Sequence, residues 1–382
     1  MKFFREIFRL IKQLVFLPKN IGNFLFGTFY YDLLLAKSKK QYSGSLSLKN
    51  RTVIFLIFPE AGITNSHLRT LKYFIKNNYS PIVISNLPLI ESDRSEILKN
   101  CCSLIERKNF GYDFGGYRDA ILHLSNKIKK FDNLLLINDS TWFPILQDNA
   151  FINFINNSNL DFIGATSHYG FERLKLPSKR ENLPKTINFN SDNRNFHYAS
   201  YALSFSKKIL NDSNFYKFWK TLRLSGTKNV VVRRGEIGLT QFIIRNKNYS
   251  HGSFIDSEKL EATLKEFSRE RLLKICHEVI VENKSLKIFK EKFLTDLENS
   301  SKNEIISFLI IIVSRQIIVF SLLKFLIEEL RFPFIKKMLL KLDKDSAEKT
   351  YNIIKSLDEE IFEEINSEIK ANKELRKFII TN

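Results

Sequence analysis

The sequence predicts an α/β protein built on a mostly parallel β-sheet, and three observations lead to that class. Short apolar runs alternate with amphipathic stretches from about residue 51 onward, which is typical of strands and helices in turn. A glycine-rich segment, residues 109–119, leads into a helical stretch. The apolar run Leu134 to Ile137 then ends abruptly in Asn138-Asp139-Ser140. In open α/β sheets, such segments bring anion-binding turns and acidic side chains to one crevice.

The individual elements follow from this alternation. Strands are predicted at Val53 to Phe58, Pro81 to Ser85, Cys102 to Glu106, Leu134 to Ile137, Asp161 to Ala165, within His197 to Phe205, and briefly at Val230 to Val232. Helices are predicted at Asn65 to Lys76, Gly116 to Lys129 and around Phe215 to Leu222. Strands that alternate with helices favour a parallel sheet covered on both faces.

The chain divides into three predicted regions: an N-terminal helical segment (1–50), an α/β domain (51–256) and a helical C-terminal region (257–382). The last region contains a strongly apolar stretch, Ile305 to Leu330, with Arg315 inside it. A guanidinium near the middle of a membrane-spanning helix costs about 2.5–3.5 kcal/mol on insertion scales. Buried or interfacial helices are therefore favoured over a membrane span.

The first residues predict a basic amphipathic helix. Apolar side chains recur at helical spacing from Phe3 to Leu17, and lysines and arginines flank them. Such a helix lies on a bilayer surface rather than crossing it. The alternative, a helix that packs its apolar face on the protein's own core, stays open. No signal-peptide cleavage pattern follows, and we expect a cytoplasmic protein that is peripheral on the inner face of the cell membrane.

Composition excludes some classes and leaves others open. The apolar fraction of 44% supports a substantial core. Three cysteines offer neither a disulfide framework nor the spacing of a metal site. The net charge of +19 invites a nucleic-acid hypothesis. The lysines are spread along the chain, however, and no nucleic-acid-binding motif is present, so no nucleic-acid partner is expected.

Four blocks of sequence resemble one known family. They are Asn-Phe-Gly-Tyr-Asp-Phe-Gly-Gly-Tyr-Arg-Asp from Asn109, Leu-Leu-Leu-Ile-Asn-Asp-Ser from Leu134, His-Tyr-Ala-Ser-Tyr from His197 and Glu-Ile-Gly-Leu-Thr from Glu236. In this order they resemble the rhamnan synthesis protein F family, over roughly residues 51–255. That family is similar to GT-A glycosyltransferases, particularly family 2. The resemblance implies that residues 51–256 form a GT-A-like domain that uses a nucleotide-sugar donor.

The glycine-rich block offers groups that bind a diphosphate. Glycines allow close approach of the backbone, and a helix that begins near Gly116 directs unpaired N–H groups at an anion. Arg118 adds a positive charge, and Asp113 or Asp119 can accept hydrogen bonds from ribose or sugar hydroxyls. The alternative is a tight turn with a capping aspartate and a surface ion pair. With the family resemblance, the predicted donor-binding residues are Asn109, Gly111, Asp113, Gly115, Gly116, Arg118, Asp119, Asn138, Asp139 and Ser140.

The resemblance places Asn138-Asp139-Ser140 where GT-A enzymes carry an Asp-x-Asp-like metal site. Oxygen ligands that hold Mg²⁺ or Mn²⁺ against two phosphates are the expected chemistry. Only one carboxylate is present in this triplet, and an ordinary turn is the alternative. Asp139 and a late histidine, His251, are the predicted metal ligands, and the cofactor is an expected divalent cation.

Glu236 is the predicted catalytic base. The resemblance places there the acid that activates the acceptor hydroxyl, at the start of an apparent helix, although a first-turn glutamate is also common for helix-dipole reasons alone. His197 and Tyr201 are predicted to contact the acceptor, with a structural histidine and a core aromatic as the alternatives.

Together these predictions describe an inverting glycosyltransferase. The resemblance implies that it moves rhamnose or another deoxysugar to a cell-surface polysaccharide or a lipid-linked glycan. A non-catalytic sugar-binding or scaffolding relative of the same fold is the alternative, and a basic nucleic-acid-binding protein is a distant third.

Overall fold

A mixed eight-stranded sheet forms the centre of the protein in the computed structural model, which describes residues 22, 26–177, 180–184 and 186–379. Its strand order is β1-β4-β3-β2-β5-β10-β7-β11. In the described residues, β2, β3, β4, β5, β7 and β11 run in one direction, and β1 and β10 run in the other. The predicted α/β class with a mostly parallel sheet is therefore confirmed.

The strands of the central sheet have the following bounds: β1 Lys40–Ser43, β2 Arg51–Ile57, β3 Ser80–Ser85, β4 Ser103–Glu106, β5 Asn133–Asn138, β7 Phe162–Gly164, β10 Ala202–Ser206 and β11 His251–Ser253. Two small ladders complete the strands: β6 (Thr141–Trp142) pairs with β12 (Ile335–Lys336), and β8 (Ser167–His168) pairs with β9 (His197–Tyr198).

The helices that precede residue 257 are α1 Asn65–Lys76, α2 Glu91–Lys99, α3 Tyr112–Leu124, α4 Ala150–Asn157, α5 Lys207–Asn211, α6 Ser213–Thr221, α7 Lys228–Val232 and α8 Gly238–Arg245. A π-helical turn, Arg233–Ile237, joins α7 to α8 without a break. The C-terminal helices are α9 Leu260–Glu266, α10 Arg269–Glu278, α11 Lys284–Leu294, α12 Lys302–Arg315, α13 Ile318–Ser321, α14 Leu323–Leu330, α15 Leu339–Leu342, α16 Lys344–Lys355 and α17 Glu359–Ala371.

The sheet separates two hydrophobic cores, because successive side chains of a strand point to opposite faces. Ile54 and Leu56 of β2 belong to the core that contains α3 and α6. Val53, Phe55 and Ile57 belong to the other core, which contains α1 and most of the C-terminal helices. The C-terminal region thus shares its core with the sheet.

The apolar stretch Ile305 to Leu330 forms three helices whose side chains are largely buried in that second core. This matches the predicted buried helices. None of the described helices combines the length and apolar character needed to cross a membrane.

Four sequence predictions of local structure were wrong or incomplete. The helix predicted from Gly116 begins at Tyr112. Residues 230–232, predicted as a strand, are the last residues of helix α7, and the π turn continues this helix into α8. The segment predicted as one strand from His197 divides into β9 and β10, which belong to different sheets. Lys40–Ser43, in the segment predicted as helical, is an edge strand paired with β4. The amphipathic helix predicted for residues 3–17 lies outside the described residues.

Candidate active site

The carboxyl edge of the central sheet brings together polar groups from several distant parts of the chain. Asn138 ends β5, and Asp139 and Ser140 follow it. Asp113 lies in the first turn of α3, after the loop that leaves β4. Because the carboxyl ends of parallel strands meet at one edge, these segments become neighbours.

Asn138 connects the first of these groups. Its buried amide donates through Nδ2 to Asp113 Oδ2 at 3.0 Å. Its carbonyl oxygen accepts from the Ser140 backbone N–H at 3.1 Å and from the Ser140 hydroxyl at 2.6 Å. Both ends of the amide are therefore used to orient Asp113 and Ser140, so Asn138 is a positioning residue for this edge.

Asp139 is held by one of its two carboxylate oxygens. Oδ2 accepts from the Phe58 backbone N–H at 2.7 Å and lies 3.3 Å from His67 Nε2. Nδ1 of His67 accepts from the Thr64 backbone N–H, which leaves the ring proton on Nε2, toward Asp139. Burial opposes ionisation of Asp139, but His67, Lys337 and the Phe58 N–H outweigh it and lower the pKa of the carboxyl.

Glu236 lies at the same edge, in the middle of the π turn rather than at the start of a helix. Its Oε1 accepts from the hydroxyl of Ser200 and, at 3.3 Å, from the Ser200 backbone N–H. Its Oε2 lies 3.8 Å from His197 Nε2. Tyr117 of α3 donates to the Ser200 carbonyl at 3.0 Å and so fixes the residue that holds Glu236. π turns inside helices are frequent at functional sites.

The carboxylates at this edge influence one another. Burial, together with the negative charges of Glu236 and Asp139, raises the pKa of Asp113 to about 6, and Lys336 opposes this rise. Glu236, Asp139 and Asp113 therefore share one electrostatic environment. A carboxyl that titrates near neutral pH because of burial and charged neighbours is typical of functional sites.

Lys336 enters this cluster from the far end of the chain. It lies on β12, whose pairing with β6 places its backbone opposite Thr141. Nζ donates to the Ser140 hydroxyl at 3.1 Å and sits 3.9 Å from the centre of the Tyr201 ring. Burial lowers the pKa of Lys336 to about 8, although Glu236 and Asp113 favour the charged form. The cluster thus contains its own cation.

The neighbouring Lys337 has a different environment. Its ammonium donates to Glu368, whose other oxygen accepts from Ser66 at 2.6 Å and from the Trp142 indole at 3.0 Å. Burial opposes ionisation of Glu368, but Lys337 outweighs it and lowers the pKa to about 2. This buried network ties α17 and β12 to α1 and β6, beneath the cluster.

Two residues predicted to bind the donor have other partners. Arg118 forms a bidentate ion pair with Asp32, at 2.8 and 2.9 Å. Asp119 is buried and bonds to Tyr31, to Arg107 Nε at 2.8 Å and to Lys39 Nζ at 3.1 Å. Because α3 begins four residues earlier than predicted, both side chains lie beyond its first turn. They bind the N-terminal segment to α3, and neither carries a free charge toward the edge.

The glycines of the block serve two purposes. Gly111 adopts a left-handed conformation (φ 79°) immediately before α3 and lets the chain turn into the helix at the carboxyl edge. A Cβ on Gly116 would meet Leu56 Cδ1 at 2.1 Å, and one on Gly115 would meet the Phe110 carbonyl at 2.1 Å. These two glycines allow close packing inside the fold. Asn109 is exposed in the loop before Gly111.

The predicted metal ligands do not come together. His251 begins β11, at the amino-terminal edge of the parallel strands, and its Nδ1 pairs with the Tyr198 hydroxyl at 2.8 Å. Among the described residues, no group of three acidic, histidine or cysteine side chains is arranged to hold a metal ion. Asn138 and Ser140 are already engaged with each other, and Lys336 places an ammonium on Ser140. These residues do not form a ready cation site.

The predicted acceptor contacts also divide. His197 lies beside Glu236, and its Nδ1 pairs with the Asn195 carbonyl oxygen at 2.8 Å. Tyr201 is buried under Lys336, and its hydroxyl bonds to Thr166 at 3.0 Å. Tyr201 therefore supports Lys336 rather than offering an open ring to a ligand.

Comparison with known proteins identifies the family of this chain. The profile of the rhamnan synthesis protein F family matches residues 81–381. The chain belongs to this family. The family predicted from the four sequence blocks, a glycosyltransferase-type family, is thus the one found, and the match extends through the helical C-terminal region, beyond residue 255. It includes Lys336 as well as Asp113, Asp139 and Glu236.

The matches between this chain and its curated relatives cover only part of each protein. An uncharacterized protein y4gN of Sinorhizobium fredii is 30% identical over 243 residues, which span 63% of this chain and 57% of that protein. Virulence protein VirA of Vibrio anguillarum is 28% identical over 185 residues, 47% of this chain and 50% of VirA. The chain thus spans about half the length of the curated relatives it matches.

Two solved structures show weak likeness to this family member. Core-mannan synthase A of Aspergillus fumigatus, in its Mn/GDP form, aligns with 12% identity and a TM-score of 0.28, over 51% of this chain and 68% of that one. The mannosyltransferase Ktr4p of S. cerevisiae aligns with 10% identity and a TM-score of 0.24, over 48% and 63%. Likeness of this size assigns no residue and no ligand to the present chain.

Sequence reasoning missed three residues of the cluster. His67 lies in the first turn of α1, the helix that follows β2, and this position was the available signal. Ser200 lies in the block that begins at His197, in which only His197 and Tyr201 were predicted as site residues. Lys336 had no local signal, since only the β6–β12 pairing brings it to Ser140.

Proposed function

We propose that this protein is a GT-A-type glycosyltransferase that moves a sugar from a nucleotide diphosphate to a hydroxyl of a glycan, with inversion at the anomeric carbon. The observation that carries the proposal is the cluster at the carboxyl edge, where carboxylates, the half-buried Lys336 and the start of α3 come together. Membership of the rhamnan synthesis protein F family supports it.

The proposed reaction is a displacement at the anomeric carbon of the donor sugar. Glu236 takes the proton of the acceptor hydroxyl, and the oxygen of that hydroxyl forms a bond to the anomeric carbon. The bond between this carbon and the phosphate oxygen breaks, and the nucleoside diphosphate leaves with the electron pair. The growing negative charge on the leaving group requires a fixed positive partner. Lys336 lies among these side chains and supplies a positive charge. The free N–H groups in the first turn of α3 add to the stabilisation of the leaving group.

The two carboxylates have separate proposed roles. Asp113 lies at the start of α3 and is held by Asn138, next to Ser140 and Lys336, on the side assigned to the donor. It accepts hydrogen bonds from the donor's hydroxyls. Glu236 lies on the His197 side and is fixed by Ser200. It is the proposed base, because its Oε2 lies beside His197, which is predicted to contact the acceptor.

The expected divalent cation is a smaller part of the proposal. Asp139 is the carboxylate that would hold it, and the diphosphate and water would supply the other ligands. No step above depends on it, because the described residues do not form a ready cage.

The donor sugar and the acceptor rest on the family alone. Rhamnose or another deoxysugar is the proposed donor sugar, and a cell-surface polysaccharide or lipid-linked glycan is the proposed acceptor. A location on the cytoplasmic face of the membrane is supported by exposed apolar side chains in the described N-terminal segment: Phe26, Phe29, Tyr30, Leu33 and Leu34. They follow the residues predicted to form the amphipathic helix.

The test is transfer by purified protein, with a panel of nucleotide-diphosphate sugars and oligosaccharide acceptors. Glu236→Gln keeps the shape of the side chain and removes the base, so kcat is expected to fall by about 10²–10⁴-fold with the donor KM little changed. Glu258→Gln is the control, because Glu258 is a glutamate in a different helical turn. This variant is expected to retain activity. Normal turnover by Glu236→Gln would refute the role of this carboxylate, and absence of both transfer and donor hydrolysis in the wild type would refute the activity.

A further inference from the structure

A cavity lies beside the carboxyl edge, apart from the cluster of Asp113, Asn138, Ser140 and Lys336. It has a volume of about 440 Å³ and opens between the segment around β8 and the end of α12 with its connection to α13. Its size is that of a small-molecule site. Its polar lining includes His168, Tyr169, Ser257, Glu282, Asn283 and Arg315.

Two buried polar atoms, each on a residue that lines this cavity, have no hydrogen-bond partner among the described residues. They are Nδ1 of His168 and the hydroxyl of Ser257. An unsatisfied buried polar group destabilises the fold, because it has lost its hydrogen bonds to water. Such groups in a native fold require an explanation, and a ligand that fills the cavity supplies one.

The remaining lining matches a neutral polyol. Phe171, Phe189 and Ile318 form apolar walls, while an amide, a carboxylate and a guanidinium supply both donors and acceptors. Burial and the nearby charges of His197 and Lys336 hold the pKa of His168 well below its usual range. A neutral imidazole has one donor and one acceptor nitrogen, which suits a hydroxyl better than an anion.

Tyr169 stands at this cavity in an unusual conformation. Its φ is 61°, in the left-handed region that non-glycine residues rarely adopt, and 56% of its surface is exposed. Its ring lies 5.7 Å from that of His197. An exposed aromatic ring held against its backbone preference offers a face for the C–H surface of a sugar ring.

The cavity is connected to Glu236 through two histidines. His168 pairs with His197 in the β8–β9 ladder, and the ring centres are 5.4 Å apart. His197 in turn lies 3.8 Å from the Glu236 carboxylate. A chain of sugar units that leaves the cavity past Tyr169 would therefore reach the proposed base.

We propose that this cavity binds a neutral sugar unit of the acceptor glycan, with Ser257 and His168 as hydrogen-bonding groups and Tyr169 as the stacking surface. The identity of that unit as acceptor rests on the proposed function. The binding of a sugar in the cavity does not.

The test measures binding without turnover. Methyl α-L-rhamnopyranoside, methyl α-D-mannopyranoside and methyl β-D-glucopyranoside are titrated against the full chain by ligand-observed NMR. Ser257→Ala is expected to weaken the best of them by about fivefold, the size of one lost hydrogen bond, and His168→Phe to weaken it similarly. Because the Ser257 hydroxyl is unpartnered, its removal is expected to leave the thermal midpoint unchanged or raised.

Ser346→Ala is the matched control, since Ser346 also carries a buried hydroxyl but lies on α16, away from this cavity. It is expected to bind the glycosides like the wild type. Unchanged affinity in Ser257→Ala, an equal loss in Ser346→Ala, or no binding of any of the three glycosides would each overturn the proposal.

A transfer assay separates this proposal from the proposed function. Ser257→Ala is expected to raise the acceptor KM by about the same fivefold factor while the donor KM stays constant. A wild type that binds the glycosides but transfers no sugar would contradict the glycosyltransferase activity and leave a sugar-binding cavity. An equal change in both KM values would overturn the assignment of the cavity to the acceptor.

Discussion

Two segments of the chain contribute to the carboxyl edge in opposite ways. The glycine-rich segment, residues 109–119, carries the strongest sequence pattern, yet its second half is structural: Gly115 and Gly116 allow close packing, and Arg118 and Asp119 bind the N-terminal segment. The segment Phe334 to Lys337 carries no pattern, yet it supplies Lys336. A motif therefore marks a part of the chain, whereas the function of each side chain depends on which way its element turns.

The largest expected effect compares two aspartates of α3. Asp119→Asn leaves the buried Arg107 without its counter-charge, and loss of one partner of a buried ion pair costs about 3–5 kcal/mol. Asp113→Asn makes the same chemical change six residues earlier and is expected to leave stability at neutral pH unchanged or higher. Denaturant unfolding of both variants measures the difference. Equal destabilisation would contradict the division between the two halves of this segment.

The stability of Asp113→Asn relative to the wild type is also expected to depend on pH. The folded pKa of Asp113 is raised to about 6, so its stabilising contribution is present below the unfolded pKa and is lost as pH rises through about 6. The thermal midpoint of Asp113→Asn minus that of the wild type is therefore expected to be larger at about pH 8 than at about pH 4. A difference that stays constant over this range would show that Asp113 is not perturbed.

The next effect compares two adjacent lysines. Lys336→Met is expected to lower kcat by about 10²–10³-fold, the cost of removing one charge-stabilising group, with little loss of stability. Lys337→Met is expected to do the reverse, because it leaves the buried Glu368 carboxylate without its counter-charge. Steady-state kinetics and thermal unfolding of the two variants together measure this contrast. A stable Lys336→Met protein with normal kcat would remove the proposed counter-charge.

The pH–rate profile gives a smaller but sharper effect. kcat/KM is expected to rise near pH 6 as Asp113 ionises and to fall near pH 8 as Lys336 loses its proton. Glu236, Asp113 and Lys228 are the charged groups that act on Lys336. Lys336→Arg keeps the positive charge at high pH and is expected to abolish the upper limb. An upper limb that is unchanged in this variant would assign it to another group.

The smallest effect is expected from removal of divalent cations. Asp139 is the predicted carboxylate ligand, and no group of three possible ligands is found among the described residues. Chelation is therefore expected to lower transfer by less than about tenfold, below the loss in Lys336→Met. Activity after treatment with a chelator, with and without added Mn²⁺, measures it. Complete loss on chelation, restored by the metal, would make the cation the main counter-charge and Lys336 a secondary one.

The sequence by itself determined the class of fold, and it pointed to several residues of the candidate site. Alternation of apolar runs located β2 to β5 and α1 closely, because these elements are buried on one or both faces. Asp113, Asn138, Asp139 and Ser140 were predicted at one crevice, since each lies near the end of a strand or the start of a helix. Glu236 was predicted there from the family resemblance.

Only the tertiary structure decided how these side chains are used. The start of α3 at Tyr112 turned Arg118 and Asp119 toward the N-terminal segment, and the π turn placed Glu236 within a continuous helix. Pairing of β6 with β12 joined residues almost two hundred positions apart and brought Lys336 to Ser140. Periodicity reports burial along one element, but contacts between distant elements depend on packing of the whole chain, which no local pattern contains.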